Sequence, residues 1–400
     1  MDPLCDRRYR NNSMDLETKH RDGNKQNCNP DGDIVRSHVN ANWPCYSPRI
    51  RTTEEGKEHA FITKNGGVGT MGEGITIEEA FLQCEEICRK ASSTFFASFS
   101  ALPIKKRKAV HAVYALCRYL DDIADGDTRP EVNETDTLNQ QVIERDTLLR
   151  SIHQSKPNNS EEEHKYRLMA LVDAKERLTR LFNGDKTATQ NEPIFVAMHH
   201  VFNQFQFRLD DFETIIEGME DDLFEVRLRT WDEVRSYCYK VASAVGLVLI
   251  EIYGCDDAGA RIHAIDMGIQ LQMINILRDV AEDYRAGRIY LPIQALAEYN
   301  INVDELGKTD FGTNQRWKAF VQEYIEVVRR HQQSAKHLFE YLDSKSRLQP
   351  QLMCEAYDAI FHEIVRRSGD VFSSRPRLSK WRKLRLAAKL SLRRIRAKWY

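Results

Sequence analysis

Several features that mark other classes of protein are absent from this chain of 400 residues. No stretch approaches the roughly 18 consecutive apolar residues of a transmembrane helix, and the opening MDPLCDRRYR lacks the apolar core of a secretory signal. The nine cysteines are scattered and never spaced as C-x-x-C, and no H-E-x-x-H motif occurs. This argues against a structural zinc site and a disulfide framework. We therefore expect a soluble, cytoplasmic protein.

Charge and glycine content exclude further functions. The 60 acidic and 58 basic side chains leave a net charge of −2, so the chain as a whole is not a polycation built for nucleic acid. With 42% apolar and 30% charged residues, it is neither disordered throughout nor collagen-like. The glycines between positions 66 and 74 follow no strand pattern and include no G-K-[ST], which excludes a phosphate-binding loop.

By composition the chain divides into three parts. Residues 1–75 are polar with few apolar positions, and we predict a disordered N-terminal extension, because such a segment buries too little apolar surface to offset its ordering entropy. Over residues 76–370 apolar residues recur every three or four positions and proline is rare. This pattern predicts a single all-α domain of long helices, with a polar surface loop at 155–163.

The third part, residues 371–400, is predicted to form a basic amphipathic helix. It carries eleven Lys and Arg side chains between Arg375 and Lys398, and no acidic residue follows Asp370. Its apolar residues are spaced by three or four, so they share one stripe. Two interpretations remain open: the helix lies on a membrane surface, or its stripe docks on the protein body while the charges face solvent.

Two carboxylate clusters stand out in the helical part, R-Y-L-D-D-I-A-D at 118–125 and N-I-L-R-D-V-A-E-D at 275–283. Each has two aspartates one helical turn apart: Asp121 and Asp125 in the first, Asp279 and Asp283 in the second. Carboxylates at this spacing repel each other unless water solvates them or a cation lies between them. Two such pairs, each beside an arginine and within apolar sequence, favour Mg²⁺ sites that bind a diphosphate.

Five segments, in order along the chain, resemble the squalene/phytoene synthase family. They are S-S-T-F-F at 92–96, Y-A-L-C-R-Y-L-D-D-I-A-D at 114–125, E-G-M-E-D-D-L at 217–223, Y-C-Y-K-V-A-S-A-V-G at 237–246 and Q-M-I-N-I-L-R-D-V-A-E-D-Y-R-A-G-R-I-Y-L-P at 272–292. The similarity runs from about residue 78 to residue 386, and its last motif is long and specific.

The resemblance implies an isoprenoid-synthase fold, an all-α helical bundle with a central cavity. It implies the head-to-head condensation of two farnesyl or geranylgeranyl diphosphates through a cyclopropyl diphosphate. The product would be phytoene or 4,4'-diapophytoene (dehydrosqualene), for carotenoid synthesis. The implied cofactor is Mg²⁺ bridging the diphosphate, and NADPH is not expected. Expected partners are the membrane surface, through the C-terminal tail, and a downstream desaturase, but no nucleic acid.

The resemblance also implies roles for individual residues. Metal ligation would fall to Asp121, Asp122, Asp125, Asn275, Asp279, Glu282 and Asp283. Diphosphate binding would fall to Ser93, Tyr114, Arg118, Gln272, Asn275, Arg278 and Tyr357, and catalysis to Tyr114, Arg118, Tyr237 and Arg278. Independently of the resemblance, Tyr114, Arg118, Asp121 and Asp125 are spaced so that one helix face carries all four. For Tyr237 and Tyr357, ordinary core packing explains the residue type equally well.

A third group of residues is expected to shape the prenyl pocket: Phe95, Phe99, Ala242 and Gly246. The small residues at 242–246 thin a helix and leave room for a hydrocarbon chain, although small residues also permit close helix packing. The phenylalanines lie one turn apart and could form the floor of a tunnel, or belong to the ordinary core. Phytoene-type family members that make 40-carbon products tend to have a smaller residue at the position of Phe99, so the resemblance favours a 30-carbon product.

Four other functions remain as alternatives. One is an NADPH-dependent squalene synthase, and a second is a presqualene diphosphate synthase of hopanoid or sterol synthesis. A third is a terpene cyclase or prenyl elongase, which the N-I-L-R-D-x-x-E-D and R-I-Y-L-P segments disfavour. The last is a non-catalytic assembly factor, which the two intact aspartate clusters disfavour.

Overall fold

We analysed a computed structural model of the chain, which describes residues 74–91, 93–255, 257 and 259–377, except for the side chains at 91 and 93–95. These residues belong to one compact unit and contain fourteen α-helices and no β-strand, which confirms the all-α prediction. The helices are α1 (Ile77–Ala91), α2 (Ser93–Phe99), α3 (Ile104–Asp125), α4 (Asp136–His153), α5 (Glu161–Phe182), α6 (Pro193–Phe202), α7 (Leu209–Asp221), α8 (Trp231–Cys238), α9 (Ala244–Tyr253), α10 (Ala260–Arg285), α11 (Ile293–Glu298), α12 (Gln315–Ala335), α13 (Leu338–Tyr341) and α14 (Leu348–Arg366).

Local sequence explains where several helices begin and end. Pro103 directly precedes α3, and Gly126 ends it in the left-handed conformation with φ of 81°. The predicted loop at 155–163 is confirmed except for its last three residues. They form the first turn of α5, because Ser160 caps the helix by accepting the N–H of Glu163 and acidic side chains are favourable at a helix N-terminus.

Helix α10 is the central element of the bundle. It packs against α9 on one side and against α12 on the other, and it contributes apolar side chains to both contacts. Ala264, Met267 and Leu271 join a core shared with α1–α7 and α9. Ile274 and Leu277 join a second core, built with α8, α11, α12 and α14. A helix buried on two sides is held rigidly, which makes it a suitable support for catalytic side chains.

A turn of π-helix, Tyr239–Ser243, joins α8 to α9 and lies against α10. The contact requires a glycine, since a Cβ added to Gly268 would lie only 2.4 Å from Cα of Ser243. The Ser243 hydroxyl donates a hydrogen bond to the carbonyl of Ile265 at 2.7 Å. Ser243 and Ala244 are fully buried, so in these two residues the small side chain serves close helix packing.

One segment of the described part of the chain, Trp231–Tyr253, is long and apolar enough to cross a membrane. Half of its most apolar 18-residue stretch is buried inside the protein, and several of its residues line the cavity described below. Interior helices of folded domains pass the same test of length and composition.

After α14 the chain turns back over the body. Gly369 adopts a left-handed conformation with φ of 82°, and its carbonyl accepts the indole N–H of Trp317 at 2.8 Å. Phe372 then packs edge-on against Trp317, with ring centroids 5.0 Å apart. Residues 371–377 are not helical, so the predicted boundary of the C-terminal helix at 371 is too early. The rest of the tail, like the predicted extension up to residue 73, lies outside the described residues.

Candidate active site

The first acidic cluster lies at the C-terminal end of α3. Arg118 donates a hydrogen bond to Asp121 at 2.8 Å and is also ion-paired with Asp122. Tyr114, one turn earlier, faces the interior and contacts the ring of Phe99 edge-on, with centroids 5.9 Å apart. The face of α3 that the spacing predicts is therefore aromatic and apolar at Tyr114 and carries a carboxylate at Asp121.

The second cluster lies near the C-terminal end of α10. Arg278 donates from Nε to Asp279 at 2.8 Å. A second arginine, Arg375, reaches the same carboxylate at 2.7 Å and approaches Glu282 to 3.3 Å. The sequence pattern had grouped Arg375 with the basic tail. The turn after α14 and the anchored ring of Phe372 bring it to the acidic cluster instead.

Arg288 connects the two clusters. Its side chain forms an ion pair of 2.6 Å with Asp125 of α3. Its backbone N–H donates to the carbonyl of Asp283 in α10 at 2.9 Å. Gly287, with φ of 79°, allows the chain to reverse after α10 so that Arg288 points back to the carboxylates. Arg288 belongs to the R-I-Y-L-P segment, but its position beside the first cluster arises from tertiary structure.

Two aspartates of the clusters hold their protons more tightly than usual. Burial, together with the nearby charge of Asp125, raises the pKa of Asp121 to about 6. Burial and the charge of Asp279 raise the pKa of Asp283 to about 7. The arginines oppose these shifts without cancelling them. Repulsion between neighbouring carboxylates contributes to both shifts, and a bound metal cation would relieve it.

The donor atoms fit Mg²⁺, which prefers oxygen ligands and keeps part of its shell for water and phosphate. In addition to the carboxylates, Oδ1 of Asn275 is buried and has no hydrogen-bond partner within the described residues. Its amide nitrogen donates to Gln272 at 3.2 Å, which leaves the oxygen available to a ligand. Among the described residues, no three acidic, His or Cys side chains are close enough to hold a metal together, and arginines are ion-paired with Asp121, Asp125 and Asp279.

An apolar cavity of about 230 Å³ begins one turn from the clusters. Its walls come from α2, α3, the π-turn, α9, α10, α13 and α14. Seven of the residues singled out in the sequence line it: Phe99, Tyr114, Ala242, Gly246, Gln272, Asn275 and Tyr357. Asn275 precedes Asp279 by one turn of α10, and Tyr114 precedes Arg118 by one turn of α3. The polar clusters thus continue the same two helix faces that line the cavity.

Tyr237 occupies a different place from the other candidates. It is buried on α8 and does not line the cavity. Its hydroxyl donates to the carboxylate of Asp222 at 3.2 Å, and its ring stacks on Tyr290 with centroids 4.8 Å apart.

The side chains of the candidates Ser93 and Phe95 lie outside the described residues. Sequence reasoning assigned no role to Asp222, Arg288, Tyr290 or Arg375, although the first three fall within the quoted motifs.

A family model described as squalene/phytoene synthase matches residues 88–382. The chain belongs to the squalene/phytoene synthase family. It is 29% identical to the 15-cis-phytoene synthase of Synechococcus elongatus, over 77% of this chain and 91% of the relative. It is 30% identical to the chloroplastic phytoene synthase 2 of Oryza sativa subsp. japonica, over 78% of this chain and 70% of the relative.

Solved structures share the fold. A dehydrosqualene synthase crystallised with a ligand superposes with a TM-score of 0.61 at 24% identity, covering 81% of this chain and 98% of that one. The squalene synthase HpnC from Alicyclobacillus acidocaldarius gives a TM-score of 0.58 at 21% identity, covering 73% and 95%. The isoprenoid-synthase fold is confirmed. This family member is a prenyltransferase, of the class that joins two prenyl diphosphates head to head.

Proposed function

We propose that this family member uses Mg²⁺ to condense two identical prenyl diphosphates and releases a phytoene-type hydrocarbon for carotenoid synthesis. The observation that carries the proposal is the continuity of the site. Two rigid helices, α3 and α10, each carry apolar cavity residues and, one turn further on, aspartates and arginines. A ligand with a long apolar chain and a charged diphosphate head matches this arrangement. Its chain would lie in the cavity, and its diphosphate would lie among the aspartates and arginines.

The proposed division of labour follows from the contacts. Asp121, Asp125, Asn275, Asp279 and Asp283 would hold the metal, with Asp122 and Glu282 beside them. Bound Mg²⁺ would neutralise the diphosphate and make it a better leaving group. Arg118 and Arg278, now paired with carboxylates, would turn to phosphate oxygens once the metal neutralises those carboxylates.

The cavity wall has its own part in the proposed reaction. Loss of diphosphate leaves an allylic cation, which water would capture as an alcohol. The apolar lining from Val241 to Leu271 keeps water away and holds the double bond of the second substrate against the cation. Tyr114, Gln272 and Tyr357 lie where the apolar lining meets the polar clusters, and we assign them to the diphosphate end. The reaction ends with loss of a proton to a base that we do not assign.

We propose farnesyl diphosphate as the substrate, which gives a 30-carbon dehydrosqualene. Phe99 supports this choice, because its buried ring closes one side of the cavity between His111 and Tyr114. Ala242 and Gly246, which line the same cavity, have small side chains and leave room for the chain that fits. If the ring of Phe99 instead served the core alone, the longer geranylgeranyl chain would fit.

The proposed location is the cytoplasm, with peripheral contact to a membrane through the basic residues between Arg377 and Lys398. A water-insoluble hydrocarbon needs an apolar destination, and a basic amphipathic segment binds anionic lipid surfaces. Transfer of the product to a membrane-bound desaturase is part of the same proposal.

The experiment that tests the substrate and the product offers farnesyl and geranylgeranyl diphosphate separately to the purified chain with Mg²⁺, each with and without NADPH. We expect dehydrosqualene from farnesyl diphosphate, unaffected by NADPH. Phytoene from geranylgeranyl diphosphate would overturn the chain-length proposal, and squalene formed only with NADPH would favour the reductive alternative. An accumulated cyclopropyl diphosphate would favour the presqualene diphosphate synthase. No product from a folded protein would favour the assembly factor.

A further inference from the structure

The E-G-M-E-D-D-L segment at 217–223 has no role in the site as described above, yet its three consecutive acids are among the more buried in the protein. Glu220 is ion-paired with Arg145, and Asp221 is ion-paired with Lys240 at 2.8 Å. Asp222 differs from both. Within the described residues, the partners found for its carboxylate are the hydroxyls of two tyrosines.

The two tyrosines reach Asp222 from different parts of the chain. Tyr237 donates from α8 at 3.2 Å to both oxygens. Tyr290 donates at 3.3 Å from the segment that follows α10. The rings stack on each other, so the carboxylate and the two phenols form one buried unit.

This unit fixes the segment that carries Arg288. The backbone N–H of Ile289 donates to Val226 at 3.0 Å, and the N–H of Leu228 donates to Ile289 at 3.1 Å. In such an extended stretch, residues two apart point to the same side, so Arg288 and Tyr290 share a side. The hydroxyl of Tyr290 is held at Asp222, and two residues earlier the guanidinium of Arg288 is held at Asp125.

A structural role alone does not explain a carboxylate at position 222. A buried charge with neutral donors is costly, whereas an asparagine would accept one phenol and donate to the other without that cost. Burial raises the pKa of Asp222 to about 7, and the nearby guanidinium of Arg288 opposes the rise. The negative charge therefore acts on Arg288 as well as on the phenols.

We propose that Asp222 is a positioning residue, whose buried carboxylate fixes Tyr237 and Tyr290 and thereby holds Arg288 against Asp125. The inference rests on the proposed function, since Asp125 is there assigned to the metal. Asp222 itself touches neither the cavity nor the acidic clusters. Its effect reaches the metal site through Tyr290 and Arg288.

The test compares Asp222→Asn and Tyr290→Phe with the matched control Asp221→Asn, the same substitution one residue earlier. For each full-length variant we would measure thermal melting, kcat, the Mg²⁺ concentration for half-maximal rate, and the KM for the prenyl diphosphate at saturating Mg²⁺. Calorimetric binding of Mg²⁺ with inorganic pyrophosphate adds a readout that needs no turnover.

We expect Asp222→Asn to remain folded, to lose about tenfold or more in kcat and to need more Mg²⁺, because hydrogen bonds to a charged group and its field on Arg288 are lost. The KM at saturating Mg²⁺ should not change, and Mg²⁺–pyrophosphate should bind more weakly. Tyr290→Phe should show a smaller effect in the same direction, and the double variant should be no worse than Asp222→Asn. Asp221→Asn should leave kcat and the Mg²⁺ requirement unchanged.

Wild-type kcat and Mg²⁺ requirement in Asp222→Asn would overturn the inference. If that variant does not fold, unchanged values in Tyr290→Phe would overturn it instead. A wild-type protein that forms no hydrocarbon would count against the proposed function, and the pyrophosphate calorimetry would then decide the inference separately: equal affinity in wild type and Asp222→Asn contradicts it.

Discussion

The guanidinium of Arg288 lies 2.6 Å from the carboxylate of Asp125, and the two residues are 163 positions apart in the chain. The same arginine is tied through its backbone to Asp283. One residue thus links the two acidic clusters, and its side chain supplies positive charge at a place where the proposed reaction requires Mg²⁺. This arrangement leads to a first prediction about stability.

We predict that Arg288→Gln melts a few degrees below wild type in metal-free, low-salt buffer, because a partly buried ion pair of about 1 kcal/mol is lost and the clusters repel more strongly. Added Mg²⁺ should raise the melting temperature of the variant by less than that of wild type, because Asp125 is no longer held in place for the metal. Arg329→Gln, which removes an exposed pair with Glu326, is the control and should melt like wild type. Equal Mg²⁺ responses in Arg288→Gln and wild type would count against the proposed metal site.

A second prediction concerns the metal ligands. Asp121→Asn and Asp279→Asn should each lower turnover by about a hundredfold or more while the far-ultraviolet circular dichroism is unchanged, because several kcal/mol of charge stabilisation are lost. Asp127→Asn is a suitable control, since Asp127 is exposed and lies beyond the end of α3. Steady-state assays of the three variants decide the matter. If either cluster variant retained its activity, the assignment of that cluster to the metal site would be wrong.

Asp283 leads to a third prediction, in which stability and activity change in opposite directions. Its pKa in the folded protein is about 7, above the value of about 3.9 in an unfolded chain. The folded state then binds more protons between these values, so this group makes the protein less stable as the pH rises toward 7. Without metal at pH 8, Asp283→Asn should therefore melt above wild type, yet be inactive.

The difference in melting temperature between Asp283→Asn and wild type should shrink when the same melts are recorded near pH 5, where the wild-type carboxyl is protonated in the folded state. A variant that melts below wild type at pH 8 would show that Asp283 is neutralised by its own arginines, and a metal would then not be needed there.

Chain length gives a fourth prediction. Phe99→Leu should widen the cavity and shift the preference from farnesyl toward geranylgeranyl diphosphate, as measured by the ratio of 30- to 40-carbon products in competition. Phe212→Leu, at a buried phenylalanine on α7 that packs against Phe202 and Phe207, controls for loss of core packing. We expect no change of product in the control. The same product ratio in both variants would mean that Phe99 is an ordinary core residue.

Arg375 gives a fifth prediction, which separates the site from the tail. Arg375→Gln should lower turnover with soluble substrate by about tenfold, because its two contacts to the second cluster are lost. Arg377→Gln, a neighbouring basic residue, should leave soluble turnover unchanged. Equal activity of both variants in detergent-free assays would show that Arg375 acts with the basic tail and has no part in the active site.

The sequence predicts the parts of this site that depend on local periodicity. Asp121 and Asp125, like Asp279 and Asp283, lie on one helix face because α-helical spacing requires it, and Tyr114 and Arg118 share the face of the first pair. The cavity-lining positions of Ala242 and Gly246 were expected because small side chains thin their helix and leave room beside it. Each of these expectations needs only the geometry of a single helix.

Contacts between distant segments could not be predicted in this way. Arg375 was grouped with the tail because its charge matches the tail, whereas Gly369 and the packing of Phe372 on Trp317 decide where it points. The π-turn at 239–243 was not predicted, since a single extra residue in a helical turn leaves no periodic signal. The partner of Tyr237 could not be predicted either, because Asp222 is brought to it by the packing of α7 against the π-turn that follows α8.

The most direct test of the account is the stoichiometry of the wild-type reaction. Purified protein would be incubated with labelled farnesyl diphosphate in Mg²⁺ or in EDTA, while released pyrophosphate and extractable hydrocarbon are counted, with geranylgeranyl diphosphate in parallel. The account predicts two pyrophosphates for each hydrocarbon in Mg²⁺ and neither product in EDTA. One pyrophosphate for each prenyl alcohol, or hydrocarbon formed in EDTA, would contradict a metal-dependent head-to-head condensation in this cavity.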